Sequence, residues 1–185
     1  MALTADWIAA GEQVIYEAAF QHEKILVMLD ILVHTAQGWT GIEVKSSRAV
    51  SETYLLDAAL QYWVITGSGL PLADIRILHV NGDYIRGNEI ELEKLFSLES
   101  VLEQVLSKQE YILAQIQREK DVILLPHAPS IHVGLHCYNP YTCDFIGHCW
   151  KNHPRPSIFD LDAFSPAAQQ RHFDAGFSVL EDLSG

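Results

Sequence analysis

Hydrophobic positions change period several times along this 185-residue chain, and each change marks an element. Residues 13–20 (QVIYEAAF) and 24–34 (KILVMLDILVH) are short runs rich in β-branched and aromatic side chains, which read as strands. A third strand at 39–45 follows a turn at Gln37-Gly38, so the three form an antiparallel meander. From Ser51 the period lengthens. Tyr54, Leu55, Ala58, Ala59, Tyr62 and Ile65 recur three and four apart until Gly67-Ser68-Gly69, which predicts an amphipathic helix with a glycine stop. Residues 75–80 (IRILHV), closed by Asn81-Gly82, return to a strand that joins the same sheet after the helical crossover. Leu98, Val101, Leu102, Val105, Leu106, Ile112, Leu113 and Ile116 then form one stripe, predicting a long helix over 98–124 that packs across the domain. The expected fold class is α/β, a mixed sheet built from the meander, the crossover and the further strand, flanked by helices. Its core spans 1–125, a Cys/His-rich loop spans 126–153, and 154–185 reads as a linker with one short helix.

Alternation along the third strand carries the first chemistry. In Ile42-Glu43-Val44-Lys45, successive side chains point to opposite faces, so Glu43 and Lys45 share one side and Ile42 and Val44 the other. Asp30 sits in the apolar run Met28-Leu29-Asp30-Ile31-Leu32, where burial would cost several kcal/mol without compensation. A divalent cation shared by Asp30 and Glu43 would supply it. Glu17, inside the first strand, is a further acid that either approaches such a cation or occupies an exposed edge.

Composition narrows the classes. A hydrophobic content of 49% with 19% charged residues suits a globular core. No apolar run approaches the ~20 residues that span a bilayer, and the start MALTADW lacks a basic leader, so a cytoplasmic protein is expected. The net charge of −12 argues against broad electrostatic wrapping of nucleic acid, which needs clustered Lys and Arg. A nuclease site is compatible with it, because such a site must hold carboxylates.

The order strand, strand with Asp30, strand with Glu43-Val44-Lys45, helix with Gln61, strand resembles the PD-(D/E)XK nuclease superfamily, in particular its RecB-type exonuclease branch. The resemblance covers about residues 13 to 80 and implies a restriction-endonuclease-like core. It also implies catalytic roles for Asp30, Glu43, Lys45 and Gln61, with Mg²⁺ or Mn²⁺ held by the two acids and the Val44 carbonyl. The implied activity is phosphodiester hydrolysis of DNA, single-stranded or at ends. Two carboxylates and a carbonyl suit such hard cations in any case, and a lysine beside them can orient water and stabilise charge on the phosphorane. This chain departs from the branch's Gln-x-x-x-Tyr by carrying Tyr62 and Ile65, which leaves the substrate-contacting tyrosine unassigned.

Cys137, Cys143 and Cys149 fall within thirteen positions around Pro140, as a loop folded about one metal centre requires. Three thiolates need a fourth ligand. His136 or His148 could complete a Zn²⁺ site, or the thiols are simply free. The segment is similar to the downstream cysteines of the [4Fe-4S] cluster of RecB-type nucleases. It is similar more closely to a bacterial family of unknown function with His-Cys, Pro-Tyr, Cys-x-Phe and Cys-Trp steps followed by Ser-Ile-Phe-Asp-Leu, here residues 157–161. The resemblance to the RecB-type branch implies one further cysteine upstream of the nuclease core, so a missing N-terminal segment or a partner chain is expected for the cluster. The rival function is a non-catalytic nuclease-like scaffold or metal-binding interaction module.

Overall fold

The computed structural model describes residues 2–151, 153 and 156–179. The chain divides into two compact units, Met1–Leu124 and Leu125–Gly185. In the first, α1 (Ala2–Ala10) precedes β1 (Val14–His22), β2 (Ile25–Thr35) and β3 (Gly38–Lys45), then come α2 (Glu52–Gly67) and β4 (Leu72–Val80). Next follow α3 (Leu92–Leu95), β5 (Phe96–Ser100), α4 (Leu102–Ser107) and α5 (Gln109–Ile123). The five strands lie in sequence order in one sheet. All neighbours are antiparallel except β3 and β4, which run parallel. A parallel pair cannot be closed by a tight turn, which is why α2 intervenes. Ser51 starts that helix by accepting the Tyr54 amide, capping an otherwise orphaned donor.

α2 is the centre of the core. Val64 and Ile65 pack with Ile15, Leu29, Leu32 and Leu72, while Ala58 and Ala59 pack with Ile75, Ile77, Val101, Val105 and Ile112. The strands, the meander and the α2 crossover match the alternation and periodicity read along the chain. The apolar stripe after residue 98 does not form one long helix. Residues 96–100 instead pair with β4, Leu78 opposite Leu98, and the helix begins only at Leu102. Without that pairing β4 would present a row of unsatisfied backbone groups at an edge, and covering them outweighs helical periodicity at five residues. The stripe is also interrupted at Lys108, between α4 and α5, yet Val105, Ile112 and Ile116 still face the core as their spacing requires. The N-terminal helix was not marked by the pattern either; Thr4 anchors it by accepting the Ala19 amide at 3.1 Å.

Edge strand β5 is pinned by His79, which is buried on β4. Its Nε2 lies 2.7 Å from Glu99 Oε1 and its Nδ1 3.0 Å from the Val80 carbonyl oxygen, so donation to both requires a doubly protonated ring. The Glu99 hydrogen bond holds the His79 pKa above the usual histidine range, with burial opposing. A raised folded-state pKa stabilises the fold below the unfolded value, and this stability is lost as pH rises through the folded one. The melting temperature of wild type relative to His79→Gln should therefore fall as pH rises from the ordinary histidine range through the raised folded-state pKa. A difference that stays constant with pH would mean that Glu99 does not raise the His79 pKa in the fold.

The second unit contains a 3-10 turn (Leu135–Cys137), α6 (Ile146–Cys149), another 3-10 turn (Ile158–Asp160) and α7 (Pro166–Asp174). The residues expected to be a linker are part of its packing. Phe159 stands 5.2 Å from Trp150 and 5.0 Å from Phe173 between ring centroids, and Ile158 is fully enclosed. Ser157 bridges to Val179 and forms a capping box with Asp160. Gln170 on α7 accepts the Leu135 amide at 2.8 Å, so the cysteine loop and the later helix fold together. Pro154 and Arg155, which suggested the linker, lie outside the described residues. Among the described residues no helix is long and apolar enough to cross a membrane.

Candidate functional site

Three acids fall in one row across the meander. Continuing the β2–β3 register one step past Ile31 and Ile42 sets Asp30 opposite Glu43. Between the flanking pairs of β1 and β2, Glu17 falls opposite Asp30. The row does not stay together as side chains. Glu17 has φ of 52°, which turns the strand alternation over, so that burial passes from Ile15 to Ala18 and Phe20 and Glu17 is left exposed. Of the two readings of Glu17, the edge position is the one the backbone favours. Asp30 replaces a ladder bond where β2 and β3 part, its Oδ2 accepting the Val44 amide at 2.6 Å.

Alternation along β3 sends Glu43 and Lys45 to the side covered by α2, as their spacing predicts. Lys45 Nζ donates to Glu43 Oε1 at 2.9 Å and to Asp57 Oδ2 at 2.6 Å. Gln61 Nε2 donates to the other Glu43 oxygen, Oε2, at 2.7 Å. The Lys45 ammonium also lies 5.4 Å from the centroid of the Tyr54 ring. Tyr54, Asp57 and Gln61 are spaced three and four apart on α2, so one helix face serves both β3 side chains. Asp57 and Tyr54 were not singled out from the sequence; the spacing of Asp57 four residues before Gln61 was the available signal. Tyr62, by contrast, packs against the core.

The burial cost falls on a different acid from the one expected. Asp30 is only half-buried, whereas Glu43 is 8% exposed. The reason is that Glu43 points under α2 while Asp30 reaches along the parting strands to a backbone donor. Burial raises the Glu43 pKa above the ordinary carboxylate range; hydrogen bonds from Lys45 and Gln61 oppose it and the Asp30 charge adds to it. Lys45 feels burial downward, but its bonds to Asp57 and Glu43 outweigh this and hold its pKa well above the usual lysine value. Gln61 Oε1 is buried with no partner, a polar atom that costs stability as it stands. Asp30, Glu43 and the Gln61 side-chain oxygen are hard oxygen donors of the kind a small divalent cation takes, but among the described residues no group of three or more His, Cys, Asp or Glu side chains stands close enough to hold a metal ion.

The cysteine loop carries the softer donors. Cys137 is buried, Cys143 half-buried and Cys149 exposed, and all three are free thiols. The Cys143 amide donates to the Cys137 carbonyl at 2.8 Å, and Cys137 Sγ lies 3.7 Å from His136 Nε2. Among the described residues no group of three or more His, Cys, Asp or Glu side chains, His148 included, stands close enough to hold a metal ion. As arranged, these donors do not fit a four-ligand iron–sulfur cluster or tetrahedral zinc. No protein-family model matches the chain, and neither curated proteins nor solved structures gave a match.

Proposed function

We propose that the chain is a metal-dependent deoxyribonuclease domain with a restriction-endonuclease-like core of the RecB type. One observation carries this reading: Lys45 and Gln61 are hydrogen-bonded to the two oxygens of a single buried carboxylate, Glu43, and Asp30 stands opposite it in the register. A solvated edge pair would need neither the burial nor the helix glutamine. Asp30, Glu43 and the Val44 carbonyl would hold Mg²⁺ or Mn²⁺, which when bound supplies Lewis acidity toward a phosphate oxygen and a more acidic water. The residues themselves divide the remaining work. Gln61 fixes the rotation of the Glu43 carboxylate, the Val44 amide fixes Asp30, and Lys45 presents a cationic donor where negative charge grows on the phosphorus oxygens. With a net charge of −12, DNA ends or single strands threaded to the site suit the chain better than broad contact along a duplex.

Titration calorimetry with Mn²⁺ tests the cation. Wild type should bind it and Asp30→Ala should lose the site, with DNA cleavage dependent on Mn²⁺ or Mg²⁺ and abolished by chelation. Equal binding by the two proteins would show that the acids hold no cation. Binding without any cleavage of single-stranded or end-bearing DNA would favour the non-catalytic scaffold.

A further inference from the structure

We infer that Asp57 is a positioning residue that, with Glu43, fixes the direction of the remaining N–H of the Lys45 ammonium; this rests on the nuclease reading above. An ammonium carries three donors. In Lys45 two are taken, by Glu43 at 2.9 Å and by Asp57 at 2.6 Å, and a near-tetrahedral group with two N–H bonds held has its third direction set. That third donor is the one left for water or a phosphate oxygen. With Glu43 alone as partner, the ammonium could rotate about its bond to Cε and the long side chain could swing.

The two acids are not equivalent. Glu43 is also the acid proposed for the cation, and its other oxygen is already engaged by Gln61. Asp57 lies on α2, outside the row of strand acids, so it holds the lysine without drawing on that carboxylate. The Tyr54 ring closes another side of the ammonium, limiting where Lys45 can move. Asp57 is also more exposed than Glu43, with 40% of its side chain accessible against 10%. Changing Asp57 therefore disturbs the lysine while leaving the core packing of α2 in place.

The test compares wild type, Asp57→Asn and Asp57→Ala. In Asp57→Ala the kcat for DNA cleavage should fall on the order of 10-fold to 10²-fold with KM and Mn²⁺ affinity little changed, since geometry rather than binding is lost. Asp57→Asn retains an acceptor oxygen and should recover part of the rate. Independently of activity, the Lys45 ammonium protons should give a slowly exchanging ¹H–¹⁵N signal in wild type that is lost in Asp57→Ala. An active wild type with an unchanged kcat in Asp57→Ala overturns the inference, as does an unchanged Lys45 signal. If wild type cleaves no DNA while the signal still disappears in Asp57→Ala, the nuclease reading fails first and the ion pair is a structural tether only.

Discussion

Lys45→Ala is expected to lower the rate of DNA cleavage by on the order of 10²-fold or more while the protein still folds and still binds Mn²⁺. The polar partners of the Lys45 ammonium are the Glu43 and Asp57 carboxylates, and it lies over the ring of Tyr54, so its removal takes away no buried apolar side chain. After its removal Gln61 still donates to Glu43 and Val44 still donates to Asp30, so both acids keep a fixed position. What disappears is a cationic donor beside the reacting centre, worth little to the ground state and much to a transition state in which charge moves onto oxygen. Single-turnover cleavage of a labelled single strand, with Mn²⁺ binding measured in parallel, separates the two effects. A rate equal to that of wild type would remove Lys45 from the mechanism, and loss of Mn²⁺ binding along with the rate would make the lysine part of the cation site instead.

The largest effect on stability is expected at Ile77. It is fully buried on β4, beside Ile75 and under Ala58 and Ala59 of α2, where the small helix residues let sheet and helix approach closely. Ile77→Ala should cost about 2–5 kcal/mol, because the lost transfer free energy is joined by a cavity that packed neighbours cannot fill. For a domain of this size that lowers the melting temperature by on the order of 10 °C. Leu98 on β5 provides the contrast. It is 44% exposed, so Leu98→Ala should change stability by less than about 1 kcal/mol. Denaturant unfolding of both variants decides the matter, and equal losses at the two positions would contradict the packing of α2 on β4.

Much of the candidate site was legible in the residues because strands have a rigid period of two. Once 39–45 is a strand, Glu43 and Lys45 must share a face, and both bond on the α2 side. The location of Gln61 on the following helix was legible too, since the apolar repeat from Tyr54 to Ile65 admits no other element. Asp57 was not legible. An acid on an amphipathic helix is ordinarily solvated, and only the crossing of α2 over the end of β3 makes it a partner of Lys45. Burial was also misassigned between the acids, because an apolar neighbourhood in sequence does not reveal which strand is covered by a helix. Asp30 lies among leucines along the chain yet is half-exposed, while Glu43, between isoleucine and valine, is enclosed.

The sequence by itself determined the strand meander, the crossover helix and the shared face of Glu43 and Lys45, since each follows from local periodicity and stereochemistry. Only the tertiary structure decided three further things. It made 96–100 a strand, because the open edge of β4 needed backbone partners more than the apolar stripe needed a helix. It turned Glu17 outward through a positive φ that no residue pattern announces. It brought Asp57 and Gln61 from one helix onto the two ends of the Glu43–Lys45 pair, a juxtaposition of residues 12 and 18 positions apart that arises only when the chain doubles back.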